Sequence, residues 1–182
     1  TLPFDSTKPA RELAAGYASD IWRDAETKVD WVYAVRDFTP SSAGAIEGKI
    51  LVRFQLHDPA VEETVWKRTP LNPDNIQLSR DGTRASGQFP WPTGGYMDLE
   101  NGEWEKLVHG CWPPYAPDNS HVAWVFDGAH RNLSLFSTRT EKKWKVKLTS
   151  APGTEGKELY HPRWTNHPRM LALTGPYQGV KG

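Results

Sequence analysis

The residues of this 182-residue chain best equipped for chemistry are scattered imidazoles, one thiol and a set of large rings. His109, Cys111, His130 and His161 carry nitrogen and sulfur donors that suit zinc or copper. No two of them stand at a recognised ligand spacing, and lone loop histidines are more often hydrogen-bonded or solvated, so no metal is assigned. Cys111, two residues from His109, has the makings of a nucleophile and its base; beside Trp112 and Pro113 it reads rather as a small buried side chain. No Gly-x-Ser-x-Gly elbow occurs, and a single Cys excludes an internal disulfide and c-type haem attachment within this stretch. No catalytic residue and no cofactor is expected.

Recognition is better provided for. Trp91, Trp112, Tyr160 and Tyr177 offer flat apolar surfaces with polar tips, suited to sugar rings, peptide side chains or a partner subunit. Arg131 can grip a carboxylate or phosphate in a fork, and His130 supplies a titratable donor, with His161 completing the candidate set. Lys and Arg together number 22, as do Asp and Glu, so no global field draws nucleic acid or an anionic membrane. The lysines of Glu141-Lys142-Lys143-Trp144-Lys145-Val146-Lys147 alternate as they would on an outer strand facing water. No apolar run approaches the about eighteen residues of a membrane span. The chain opens on Thr1 with no signal-peptide pattern, so a processed or partial product is expected.

The elements that must position these residues are β-strands. Nine Trp and six Tyr favour pleated, half-buried surfaces, and fifteen Gly with fifteen Pro supply frequent turns. Residues 76–148 carry one four-strand unit twice, at a period of about forty residues, and 162–173 begin it again. That period predicts an all-β fold of four-stranded antiparallel blades, a β-propeller with roughly three and a half blades. Blades are expected over about 20–69, 70–108, 109–150 and, incomplete, 151–182; residues 1–19 form an arm, either a short helix ending at Gly16 or an extended clamp. A closed ring commonly has about six or seven blades, so this chain is expected to be part of a larger one. An open or otherwise closed all-β fold is the alternative.

The turn Ser79-Arg80-Asp81-Gly82 and its counterpart Ala116-Pro117-Asp118-Asn119, with their flanking strands, resemble the Ser-Pro-Asp-Gly turn of the WD40-like repeats in TolB-type propellers. The first unit shows no Asp-Gly turn in that register. The resemblance implies a binding or scaffold module in the periplasm or outside the cell. The phase of the repeat gathers the Asp-Gly turns on one face, as ordinary turn residues. The other face collects the loops bearing Trp91, Trp112, His130, Arg131, Tyr160, His161 and Tyr177. The expected function is non-catalytic presentation of that loop face to a protein, peptide or glycan. The alternatives are a metal-assisted hydrolase or lyase at the propeller mouth, and a structural subunit whose ring is completed by other chains.

Overall fold

The computed structural model describes residues 7, 9, 11–40 and 46–177, whose regular structure is fifteen β-strands and two short 3-10 turns. Strands β1 (Tyr17–Arg23) and β2 (Asp30–Arg36) begin the first sheet. A small ribbon of β3 (Thr39–Pro40) and β4 (Ile46–Glu47) interrupts the chain before β5 (Ile50–Gln55) and β6 (Glu62–Trp66) finish it, in the order β1-β2-β5-β6. The second sheet is β7 (Gln77–Leu78), β8 (Arg84–Gln88), β9 (Thr93–Asp98) and β10 (Trp104–His109), again in simple succession. The third holds β11 (Val122–Phe126), β12 (Asn132–Ser137) and β13 (Lys143–Lys147); its inner strand shrinks to two isolated bridges to β11, Cys111 to Phe126 and Tyr115 to Ala123. The fourth has two strands among the described residues, β14 (Glu158–Trp164) and β15 (Leu171–Tyr177).

The sheets pack face on face, which is why their strands are apolar on both sides rather than on alternate residues alone. In β2, Tyr33 and Val35 face the second sheet and join Leu51, Trp66, Ile76, Leu78, Phe89 and Met97 in one core cluster. Val32 and Ala34 face the other way, where they meet Val52 and Phe54 under Leu13 and Ala14. The N-terminal segment therefore covers the outermost face, and residues 11–16 form no helix.

The contact between the second and third sheets is closer and leaner. A Cβ on Gly94 would stand 3.2 Å from the Val125 methyls, and one on Gly110 2.5 Å. Gln88 Nε2 donates to the Gly110 carbonyl across this seam at 2.7 Å, fully buried. Between the third and fourth sheets, Trp124, Phe126 and Leu133 pack on Leu159, flanked by Trp164, Leu171 and Leu173.

Polar ties run along the inner strands. The Asp20 carboxylate accepts from the Leu78 amide (2.7 Å), Trp22 Nε1 donates to the Arg80 carbonyl (2.9 Å), and Arg80 donates to the Pro117 carbonyl (3.3 Å). The first sheet is thus stitched to the second through β1, and the second to the third through the turn at Arg80.

Candidate functional site

Five of the seven residues singled out by type, Trp112, His130, Tyr160, His161 and Tyr177, come together on the loop face. Four separate segments deliver them, Tyr177 coming from the end of β15. The crossing from β10 is fixed by the Gly110 amide on the Pro92 carbonyl and by a two-way bridge between Cys111 and Phe126, after which Trp112 turns out ahead of Pro113. The loop from β11 to β12 is headed by Asp127, whose Oδ1 accepts from the Arg131 and Asn132 amides and whose Oδ2 accepts from the Asn132 side chain. Strand β14 brings Tyr160 and His161 at a register shift, and the Leu159 amide donates to the His130 carbonyl (3.1 Å), joining it to the second segment.

The rings form a continuous surface. His130 stacks on Phe126 at 5.1 Å between centroids and meets Tyr160 edge-on at 4.3 Å; Trp112 lies 5.4 Å from His161, and Tyr160 5.6 Å from Tyr177. Trp112, His130 and His161 all hold left-handed backbones, with φ of 47°, 55° and 47°. Such conformations are uncommon outside glycine and gather where surrounding structure imposes them, often at binding sites. Tyr160 is buried and donates to Glu158, which holds its phenol up at about 12. Around Asp127, burial would raise the carboxyl, but the hydrogen bonds from Asn132 and the Arg131 amide outweigh it and keep the group ionised.

Trp91 and Arg131 stand apart from the stack. Trp91 is 41% exposed and its indole reaches the half-buried thiol of Cys111, whose pKa is pushed up mainly by burial. Arg131 is anchored through its backbone and its side chain is exposed. As for metal donors, His109 is taken by Lys106 at 2.9 Å, and among the described residues no three His, Cys, Asp or Glu side chains are grouped to hold an ion. What the arrangement offers is an apolar ring surface bordered by two imidazoles and a phenol–carboxylate pair, fitted to stacking and hydrogen bonding.

The opposite face holds a cluster that the sequence reading passes over as ordinary turn residues. Asp81 Oδ2 meets His121 Nε2 at 2.6 Å, across the seam between the second and third sheets, with Arg139 at 3.8 Å. Asp81 Oδ1 also accepts from Ser79 Oγ and from the Thr83 amide and hydroxyl. His121 is 3% exposed and sits at φ 53°. Close by, Arg84 ties Asp98 to the Thr138 carbonyl (2.6 Å) of the next sheet. The available signal was a length difference. Ser79 hydrogen-bonds to Arg84 across its turn, whereas Ala116 hydrogen-bonds to Val122, so the third sheet's turn is one residue longer and His121 is the extra residue.

No family model matches the sequence, and no curated protein matches it. Among solved structures, the β-propeller domain of Cps50 (Swd1) from Myceliophteria thermophila superposes on it with a TM-score of 0.55 at 12% identity. The chain has the β-propeller fold. The superposition takes in 88% of this chain and 49% of the other, so the chain spans about half the length of that propeller. Its sheets are accordingly successive propeller blades, each running from an inner to an outer strand.

Proposed function

We propose that this chain is a non-catalytic binding or scaffold propeller segment that presents its loop face to a protein, peptide or glycan. The observation that carries this reading is the convergence of Trp112, His130, Tyr160, His161 and Tyr177 from four segments into one ring surface. Rings that packed only as filler between blades would be buried throughout; here Trp112, His130 and Tyr177 stay half-exposed and His161 exposed. The finer parts of the reading, kinship with TolB-type propellers and a periplasmic or extracellular location, rest on the Asp-centred turns at Asp81 and Asp118.

Peptide and glycan arrays probed with the native chain, then with Trp112→Ala and Tyr177→Ala, test it. Aromatic anchors at interface centres contribute about 2 kcal/mol or more, so each variant is expected to weaken the selected ligand by about 30-fold. Ligands bound equally well by both variants would place the binding surface elsewhere.

A further inference from the structure

The seam between the second and third blades is closed on the inside and open on the outside. Near the centre, Gly94 and Gly110 meet Val125, and Gln88 reaches the Gly110 carbonyl. Further out, a cleft of about 250 Å³ lies between Tyr96, Glu105 and Leu107 on one wall and Phe136, Lys142 and Lys143 on the other. Register carries the third blade's wall outwards in rows, Phe136 with Lys143, Ser134 with Lys145 and Asn132 with Lys147, all turned towards the second blade. Three exposed lysines therefore share one face of β13, about 7 Å apart as alternate residues of a strand. Their charge is unanswered. Among the described residues, Lys142, Lys143, Lys145 and Lys147 make no ion pair. Glu105, on the opposite wall, accepts from the Tyr96 hydroxyl at 3.0 Å, and Asp127, which feels Lys145, is taken up by the Arg131 and Asn132 amides. The preceding seam is finished differently: at its outer end Phe89 lies between Trp66 and Trp104, and Arg53 is paired with Glu63. β13 also has a free edge, hydrogen-bonding to β12 and, among the described residues, to no strand on its other side.

We propose that the outer edge of β13 binds an extended acidic segment of a partner protein, an interface separate from the loop face. The segment adds antiparallel to residues 143–147, so its backbone takes up the unpaired N–H and C=O groups of the edge. Carboxylates at alternate positions of the segment then stand opposite Lys143, Lys145 and Lys147, since paired side chains on one face of a sheet lie about 5 Å apart. The open cleft leaves the lysine stems free to reach them. Lysines on an edge strand guard it against unselective pairing; here they also choose the sign of what can pair. Two other occupants fit less well. A second copy that set β13 against β13 would oppose lysine with lysine. A polynucleotide has no strand backbone to satisfy the edge, and its phosphates would also meet Glu105 and Glu141, which line the cleft.

The probe is a fluorescein-labelled peptide that alternates Glu with Thr, read by anisotropy against the 182-residue chain. Binding is expected, and it should weaken as salt is raised. Lys143→Glu combined with Lys145→Glu should weaken it about tenfold or more. Lys49→Glu combined with Lys67→Glu makes the same change of net charge on the first blade and should alter it less than about twofold. All four lysines are exposed, and circular dichroism checks that each chain folds. The chain carrying Lys143→Glu and Lys145→Glu should in turn bind a peptide that alternates Lys with Thr. At saturating Glu peptide, hydrogen exchange of the native chain is expected to slow about tenfold at the outward-facing amides of 143–147. Trp112→Ala should leave these results unchanged, which separates this edge from the loop face.

Several outcomes would overturn the inference: no binding of the Glu peptide, equal binding of a peptide with Gln in place of Glu, an equal loss from the Lys49 and Lys67 reversals, or no protection at 143–147. Displacement of the peptide by an equimolar single-stranded oligonucleotide would make the edge a nucleic-acid surface instead. Light scattering that finds dimers of the native chain, lost on Lys143→Glu with Lys145→Glu, would assign it to a second copy.

Discussion

Asp81 shows how much can rest on one carboxylate in a turn. Burial alone would raise its pKa, but hydrogen bonds from Ser79, His121 and Thr83 outweigh that and hold it below its ordinary 3.8. The folded state therefore binds fewer protons than the unfolded chain in mild acid. The stabilisation is complete above about pH 4 and is lost as pH falls towards the depressed folded value. Urea midpoints measured from pH 7 down to pH 2.5 are expected to fall more steeply for the native chain than for Asp81→Asn. At pH 7 the variant should cost about 2 kcal/mol, below the usual range for breaking a buried pair because Asp81 is partly exposed. Parallel slopes would mean that Asp81 titrates as an unperturbed surface group. Arg139 is half-exposed, and its removal should change little.

At the scale of elements, the turns join the blades as well as reverse the chain. Gly82 has φ 71°, and a Cβ there would lie 2.4 Å from the Trp22 ring of the preceding blade. Gly153 has a similar φ of 81° with nothing within 4 Å. Gly153→Ala should cost only the left-handed backbone term, about 1 kcal/mol, and Gly82→Ala about 2 kcal/mol or more because the ring must move. Equal thermal shifts for the two would show that the Trp22 contact contributes nothing. The same elements show what was legible in the chain. Strand alternation and Asp-Gly turns are local chemistry, so the four-strand unit could be read directly. The first unit also has an Asp-headed turn, Asp24 accepting from the Glu26 and Thr27 amides, but without Asp-Gly it was hidden. Phase was harder still. Trp104 and Trp144 open similar stretches, yet Trp104 pairs with Met97 and faces the first blade, whereas Trp144 pairs with Leu135 and faces the fourth. A slip of one residue reverses every side chain, and only register reveals it. The ring cluster was legible as a set of residue types on one face; its convergence depends on left-handed backbones at Trp112, His130 and His161, which their identities do not announce.

Across the whole molecule, cohesion is uneven. The seam between the first two blades is closed by a large aromatic and aliphatic cluster, while the described part of the fourth blade has two strands and partly buried Leu171 and Leu173. Native-state hydrogen exchange should follow that gradient, with β2 and β8 opening only on global unfolding and β14–β15 opening first. Uniform protection from 17 to 177 would indicate a single cooperative unit instead. The seam between the second and third blades relies on glycine contact and the Asp81–His121 pair rather than on bulk. His121 exists only because the third blade's turn is one residue longer than the second's. The repeats are therefore not interchangeable beads. A chain rebuilt with residues 70–109 in tandem would bring no imidazole to Asp81, and the duplicated blades would meet without their lock. At this seam the order of the two blades is written in one pair, the longer turn of the third meeting the carboxylate of the second.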